Sequence, residues 1–336
     1  MMPLQKLNVA IIGCGNVAEY YHLPALTRIP NIVVKAVVDK DQTRIAKAKQ
    51  RFPICLKDAK AYDDHRPVLS TKEIDAVLIL TPPSLHAPIA IECIKSNKHI
   101  FCEKPLALSS AEAIKIADEL EGTALTFMVG FNYRFMPHFQ FVKRFLDEGR
   151  IGDIVTASTR FLTRLDESAT FQRRRALGGG VLFEMACHHI DVLKWIFGPV
   201  KAVQGMARNR KFQEADDNVF VLLEFCKGVL ASVHASWTSA RFVNRVDIFG
   251  DKGMLGADLQ TSHVETWIAK KMFFRKGPRT ILVGSVLESY ANELRAFAEA
   301  VLKNKESPLS IGDALDSLRI VERFYVSSEL GCKEAV

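Results

Sequence analysis

The sequence predicts an α/β protein in which a doubly wound parallel sheet is followed by an α+β domain with a large, mostly antiparallel open sheet. Three observations predict this. Short apolar runs alternate with helical segments in the first third, as in parallel sheets buried on both faces. A glycine-rich turn follows the first apolar run. After Ile151, longer segments alternate apolar and polar residues between turn signals such as Lys227-Gly228, which is typical of antiparallel strands.

The elements of the first part follow one another as strand and helix. Apolar, often β-branched runs predict strands, and segments with charged residues around an apolar stripe predict helices. Ser109 or Ser110 is suited to cap the last of these helices. The predicted strands are residues 7–12, 32–38, 74–80, 99–102 and 124–129, and the predicted helices are residues 17–28, 41–51, 87–96 and 111–120.

The second part begins with an amphipathic helix and then changes to strands. A length of 336 residues suits about two domains at roughly 150 residues each. We therefore expect one domain at residues 1–126 and a second at residues 127–336. In the second, the predicted helices are residues 137–149, 288–302 and 313–330, and the predicted strands are residues 155–162, 200–207, 219–225, 229–237 and 243–249.

Composition narrows the classes of partner. The formal net charge of +7 suits an anionic ligand, but no basic run carries the interleaved aromatic residues of a nucleic-acid-binding motif. No stretch of about 18 apolar residues predicts a membrane span. Seven scattered cysteines without a C-x-x-C pair are typical of a reducing compartment. We expect a cytoplasmic protein that binds neither nucleic acid nor membrane.

The turn after the first strand is suited to a dinucleotide. Gly13, Gly15 and Ala18 occupy the three small-residue positions of a G-x-G-x-x-G/A turn between a strand and a helix. The glycines allow a tight turn and close approach of a pyrophosphate, while Asn16 and Val17 begin a helix whose free N–H groups attract phosphates. The alternative is a plain turn. The context favours a Rossmann domain that binds a nicotinamide dinucleotide.

Asp39 ends the second predicted strand, about 20 residues after the glycine turn, where a carboxylate accepts hydrogen bonds from the adenosine ribose. A carboxylate there repels a 2′-phosphate, so NAD is the expected cofactor. The neighbouring cation of Lys40 can help to hold a phosphate, which leaves NADP as the alternative. Asp39 would otherwise simply start a turn.

A lysine follows the fourth predicted strand, in Glu103-Lys104-Pro105. Ligands of doubly wound sheets bind beyond the carboxyl ends of the strands, so we expect Lys104 near the nicotinamide. There it would hold the substrate oxygen and ease its ionisation. The alternative is a solvated surface lysine.

A histidine with two carboxylates follows the glycines 178–180. On one predicted helix, Glu184 lies four residues before His188 and Asp191 three after it, so all three would share a face. Histidine can accept an alcohol proton near neutral pH, and the carboxylates would orient its ring. We expect His189 to serve packing. A buried structural histidine is one alternative, and a metal site is another, but the stretch offers no second donor cluster and no metal is expected.

Three consecutive arginines, residues 173–175, precede the triple glycine. A guanidinium binds phosphate or carboxylate through two hydrogen bonds, so Arg175 is a candidate clamp for an anionic group on the substrate. The alternative is a solvated loop.

Several short motifs run in a fixed order along the chain: Gly13-x-Gly15-x-x-Ala18, Thr81-Pro82-x-x-x-His86, Glu103-Lys104-Pro105, Gly130-Phe131-Asn132-Tyr133-Arg134, Gly149-x-Ile151-Gly152, Gly178-Gly179-Gly180 leading to His188-x-x-Asp191, and Glu293-x-x-x-Phe297 followed by Ser327-x-x-x-Gly331. In this combination the chain resembles the Gfo/Idh/MocA oxidoreductases, the glucose–fructose oxidoreductase and inositol dehydrogenase family, over essentially its whole length.

The resemblance implies a Rossmann domain and a C-terminal domain that binds substrate and forms a homodimer or homotetramer through its open sheet. It implies a sugar or cyclitol substrate. Lys104 and His188 take the places of the family's catalytic lysine and acid/base histidine, and Glu184 that of its usual aspartate. The Lys104-Pro105 bond resembles one that is often cis. The remaining residues expected around the cofactor are Thr81, Pro82, His86, Glu103 and Asn132.

The sequence therefore predicts an NAD(P)-dependent dehydrogenase that moves a hydride between nicotinamide and a secondary alcohol of a sugar, inositol or sugar derivative. Lys104, Glu184, His188 and Arg175 would contact the substrate. Two alternatives stay open at this point. One is a non-catalytic, nucleotide-sensing regulatory protein on the same fold, and the other is a reductase of that fold with a non-sugar substrate.

Overall fold

A six-stranded parallel sheet forms the centre of the first of two units in the computed structural model, which describes residues 5–165, 171–261, 263–268, 279–282 and 284–336. The strands lie in the spatial order β3-β2-β1-β4-β5-β6, the order of a doubly wound dinucleotide-binding sheet. The predicted sheet is confirmed. Its strands are β1 Leu7–Ile12, β2 Ile32–Val38, β3 Lys60–Tyr62, β4 Ala76–Ile79, β5 His99–Glu103 and β6 Phe127–Gly130.

The strand β3 was not predicted because it is three residues long and contains no apolar run. The central strands follow the expected pattern, since every residue of β4 is buried. Phe101 of β5 packs edge-on against Phe297 at 5.8 Å between ring centroids. Ser109 caps the helix that begins at Ser110, because its Oγ accepts the Glu112 N–H at 3.2 Å.

The helices flank both sheets. The longest of those before residue 133 are Gln42–Arg51, His86–Lys95 and Ser110–Leu120. The shorter ones there are Ala18–His22, Leu23–Leu26, Pro53–Leu56, Arg66–Leu69 and Pro83–Leu85, and the later ones are Asn132–Phe135, Pro137–Asp147, Phe171–Arg173, Arg175–Leu177, Leu182–Ala186, Cys187–Phe197, Val286–Leu302 and Ile311–Leu330.

A nine-stranded sheet forms the centre of the second unit, in the order β14-β13-β12-β11-β7-β10-β9-β8-β15. All neighbouring pairs are antiparallel except β7 with β10, which confirms the mostly antiparallel sheet. The strands are β7 Ile154–Arg164, β8 Val200–Arg208, β9 Asn218–Phe225, β10 Leu230–Ser236, β11 Thr238–Gly250, β12 Gly253–Asp258, β13 His263–Ile268, β14 Arg279–Leu282 and β15 Glu334–Ala335.

Within the described residues, β9 of this second sheet has one buried face and one exposed face. Along β9, Val219, Val221 and Leu223 are buried, whereas Phe220 and Leu222 are more than half exposed. Alternation of this kind places successive side chains on opposite faces of a strand. The sheet therefore has one core face and one outer face.

The chain divides into two compact units. The first comprises residues 1–132 and 287–315, and the second comprises residues 133–286 and 316–336. The strand β6 and the segment 287–315, which the sequence division gave to the second domain, lie in the first unit. Within the described ranges, no helix combines the length and the apolar composition that a bilayer crossing requires.

Candidate functional site

The glycine turn lies at the carboxyl end of β1, with backbone geometry that requires glycine. Gly13 has φ of +100°, and a Cβ there would lie 2.7 Å from the Leu80 carbonyl oxygen. A Cβ on Gly15 would meet nothing closer than a guanidinium nitrogen of Arg44 at 3.9 Å. The turn is therefore tight against the sheet below Gly13 and open above Gly15. This open surface is what a pyrophosphate needs in order to approach the backbone.

The sequence predicted one regular helix over residues 17–28. The structure instead has a π-helical turn followed by a short α-helix. Helical backbone begins at Asn16, but Ala18–His22 forms a π-helical turn in which the Leu23 N–H donates to the Ala18 carbonyl. Pro24 follows, and it cannot donate the i→i−4 bond that would continue an α-helix through this point. Ala18 is fully buried, as its small side chain requires.

Asp39 lies directly after β2 and next to the glycine turn. Its Oδ2 accepts the Cys14 N–H at 2.8 Å, and its Oδ1 accepts the Asp41 N–H at 2.9 Å. These two bonds fix the carboxylate while leaving it acceptor capacity for ribose hydroxyls. Lys40 is exposed beside it.

His86 is buried and has both ring nitrogens against backbone carbonyls. Nδ1 lies 2.7 Å from the Pro105 oxygen and Nε2 lies 2.8 Å from the Thr81 oxygen. Burial lowers the pKa of His86. Within the described residues, the buried Thr81 Oγ1 has no hydrogen-bond partner, whereas Pro82 is exposed. His86 thus joins the two backbone segments, and Thr81 retains an unmatched hydroxyl of the kind that a ligand can satisfy.

The Glu103-Lys104-Pro105 segment follows β5 at the same carboxyl edge of the parallel sheet as the glycine turn. Glu103 Oε1 lies 2.7 Å from His22 Nε2, and Glu103 Oε2 accepts the Lys104 N–H at 3.0 Å. The Lys104–Pro105 bond is cis, as the resemblance implied. The Lys104 side chain is half-buried. The main chain of Lys104 is therefore held by a buried carboxylate that is itself tied to the helix after the glycine turn.

Asn132 follows β6 and is 2% exposed. Its Nδ2 donates to Ser289 Oγ at 3.0 Å, in the helix Val286–Leu302. The amide is therefore fixed at the edge of the parallel sheet by a segment more than 150 residues later in the chain.

The histidine helix of the second unit begins with a second π-helical turn. Leu182–Ala186 is π-helical, and the Cys187 N–H donates to the Leu182 carbonyl five residues before it. The regular helix is Cys187–Phe197. The four-residue spacing that placed Glu184 on the face of His188 assumed an α-helix, whereas only His188 and Asp191 lie in the regular helix. Glu184 is half-buried and His188 is 8% exposed.

Both oxygens of Asp191, which the sequence placed on the face of His188, bond Arg134. Arg134 Nε and Nη2 lie 2.8 and 2.7 Å from the two carboxylate oxygens, and both side chains are buried. Sequence reasoning missed this pair. The Arg134 guanidinium is the buried cation that such a buried carboxylate requires.

Two of the three consecutive arginines rest on aromatic rings. The Arg175 guanidinium lies 3.4 Å from the centroid of Tyr325, and that of Arg173 lies 4.8 Å from Phe212. The Tyr325 hydroxyl in turn donates to Asp216 Oδ1 at 2.7 Å. Burial raises the pKa of Asp216, and the Tyr325 hydrogen bond opposes this. Arg175 is therefore a cation of the second unit that is held against an aromatic ring.

Comparisons with known proteins agree with these features. Residues 7–131 match the model of the oxidoreductase family with an NAD-binding Rossmann fold, and residues 139–256 match the GFO/IDH/MocA C-terminal domain. The myo-inositol 2-dehydrogenase of Thermotoga maritima is 26% identical over 91% of each chain. The NAD⁺-dependent scyllo-inositol 2-dehydrogenase of Bacillus subtilis is 29% identical over 94% of this chain and 92% of that protein.

A solved structure of levoglucosan dehydrogenase in complex with NADH and L-sorbose superposes with a TM-score of 0.91. The two sequences are 24% identical, and the superposition covers 99% of each chain. At this identity the likeness shows that the two proteins share a fold.

Proposed function

This chain belongs to the Gfo/Idh/MocA family of NAD-binding oxidoreductases, and from that premise we propose that it oxidises or re-forms a secondary alcohol of a sugar, an inositol or a sugar derivative. One observation supports the proposal most strongly. Lys104 leaves the parallel sheet at the same edge as the open glycine turn, so a cation lies where bound nicotinamide chemistry would occur.

The fit of the dinucleotide rests on the first unit. The open surface above Gly15 admits the pyrophosphate, Asp39 accepts the ribose hydroxyls, and the unmatched Thr81 hydroxyl offers a hydrogen bond. When bound, NAD supplies a hydride acceptor or donor. His86 supports the cofactor site indirectly, because its ring holds the Thr81 and Pro105 backbone carbonyls. The proposed cofactor-binding set is Gly13, Gly15, Asn16, Val17, Ala18, Asp39, Lys40, Thr81, Pro82, His86, Glu103, Lys104 and Asn132.

NAD is preferred to NADP in this proposal because the Asp39 carboxylate would repel a 2′-phosphate. Its two hydrogen bonds from backbone N–H groups hold the carboxylate in place. The exposed Lys40 lowers the penalty for NADP without removing it.

The proton chemistry is assigned to Lys104 and His188. His188 takes the proton of the substrate hydroxyl as the hydride leaves the same carbon, and returns it in the reverse reaction. The Lys104 ammonium donates a hydrogen bond to that oxygen and stabilises its developing negative charge. Glu184 orients His188 or binds a neighbouring hydroxyl of the substrate. Arg175 binds an anionic substituent of the substrate where one is present.

Hydride transfer to NAD⁺ tests the proposal directly. The purified protein is mixed with NAD⁺ or NADP⁺ and a panel of inositols, neutral sugars and sugar phosphates, and reduced nicotinamide is followed by absorbance. We expect turnover of at least one polyol, faster with NAD⁺ than with NADP⁺. Preference for sugar phosphates would support Arg175 as a clamp. Binding of NAD⁺ without turnover of any polyol would instead favour a sensor and contradict the proposal.

We propose further that the outer face of the second sheet joins copies of this chain into a homodimer or homotetramer. Met206, Phe220, Leu222 and Leu230 lie on three neighbouring strands of that face, each more than half exposed. Met206 pairs directly with Phe220, and Phe220 with His234, so the patch is continuous. A patch of this kind on the outer face of a sheet suits a self-complementary partner.

Charged substitutions in this patch are expected to break the assembly. Leu222→Lys combined with Phe220→Glu should lower the mass measured by light scattering to that of the monomer, because each buries a charge at the interface. Ile54→Lys is the control, since Ile54 is 79% exposed in the first unit. An unchanged mass in the double variant would contradict this interface.

The cytoplasmic location expected from the cysteines stays a proposal.

A further inference from the structure

Three aromatic rings are stacked in the second unit. Phe139 and Tyr133 lie 5.7 Å apart with 23° between their planes, and Tyr133 and His188 lie 4.4 Å apart with 17°. Phe139 is fully buried, and the other two rings are less than a tenth exposed. The Tyr133 ring therefore stacks on the His188 imidazole and is itself in contact with the Phe139 ring.

The hydroxyl end of Tyr133 is held by a separate pair of residues. Asn244 Nδ2 donates to the Tyr133 hydroxyl at 2.8 Å. Asn244 Oδ1 in turn lies 3.0 Å from His189 Nε2. Because the amide oxygen can only accept, His189 must carry its hydrogen on Nε2. The side chains of Asn244 and His189 are both buried, so water does not compete for these bonds.

The anchor of this chain of hydrogen bonds is rigid. Asn244 belongs to β11, pairs with Phe161 of β7, and accepts the Leu259 N–H at 2.7 Å through its carbonyl. Burial lowers the pKa of His189 to about 4, so the ring is neutral at physiological pH. The network thus adds no competing charge next to His188.

We infer that Tyr133, Asn244 and His189 are positioning residues for His188, because the sheet-anchored amide fixes the tyrosine ring that fixes the imidazole. This inference rests on the proposed role of His188 in proton transfer. A misplacement of about 1 Å at a reacting group can lower the rate roughly 100-fold. Residues that hold the imidazole in place therefore affect the rate even though they are not proposed to contact the substrate.

Removing the Tyr133 hydroxyl tests the hydrogen bond from Asn244 with a small change. Tyr133→Phe keeps the stacked ring and loses the Asn244 hydrogen bond, and we expect about a ten-fold fall in kcat. Tyr133→Leu loses the ring, and we expect about a 100-fold fall. The dissociation constant of NADH, measured by its fluorescence, should not change in either variant. Ser327→Ala is the control, since it removes another buried hydroxyl of the second unit, one that contacts the Cys332 carbonyl.

A double-mutant cycle separates positioning from packing. Asn244→Leu should lower kcat about as much as Tyr133→Phe, and the double variant should be no slower than Asn244→Leu alone, because both break one bond. His189→Gln, which retains a hydrogen-bond donor, should keep more activity than His189→Phe. A lower Tm with unchanged kcat in Tyr133→Phe and Asn244→Leu would overturn the inference. If His188→Ala itself keeps full activity, the proposed function fails instead.

Discussion

Replacing His188 with alanine is expected to lower kcat on a confirmed polyol by a factor of roughly 10²–10⁴, equivalent to about 3–5 kcal/mol in the activation barrier. The alanine removes the group proposed to take the hydroxyl proton, and water in its place is a poorly positioned base. Steady-state kinetics at saturating NAD⁺ measure the effect. NADH affinity should be unchanged, because the proposed cofactor residues lie in the first unit.

His263→Ala is the matched control for this variant, since His263 is an exposed histidine of the same unit, in β13. It should retain the rate of the unmodified protein. Lys104→Ala should also be slow. The double variant lacking both groups should lose less than the product of the two single effects, because both groups are proposed to act on one substrate oxygen. Near-normal turnover in His188→Ala and Lys104→Ala would contradict the catalytic assignment.

The parts of the site that were predictable from sequence depend on local rules. The glycine turn is an example, since the left-handed backbone at Gly13 and the open surface at Gly15 follow from residue type and from the flanking strand and helix. The position of Lys104 followed from a general property of parallel sheets, because their carboxyl ends share one edge. The alternation of apolar and polar residues along β9 likewise predicted an antiparallel strand.

The parts that were missed depend on contacts between distant residues or on departures from regular helices. Arg134 and Asp191 are 57 residues apart, and Asn244 and Tyr133 are 111 apart, so neither pairing leaves a local pattern. The π-helical turn before Cys187 altered the spacing on which the Glu184 prediction depended. Pro24 was a visible signal for the other π-helical turn, because a proline inside a helix removes a hydrogen bond.

Replacing Arg134 with leucine is expected to lower the free energy of unfolding by about 3–5 kcal/mol. The substitution leaves the Asp191 carboxylate, which is 0% exposed, without the guanidinium that now bonds both its oxygens. A buried carboxylate in this position must either stay charged without its cation or take up a proton, and both are costly. Denaturant unfolding measures the loss.

The double variant Arg134→Leu/Asp191→Leu distinguishes a buried ion pair from ordinary packing at these two positions. Because it removes both charges, it should be more stable than Arg134→Leu alone, whereas losses from two independent packing defects would add. Asp191→Asn gives a third point, since it keeps the shape of the carboxylate and removes its negative charge. If the double variant loses the sum of the single effects, the pair contributes as packed volume, and the helix that carries His188 does not depend on this charge.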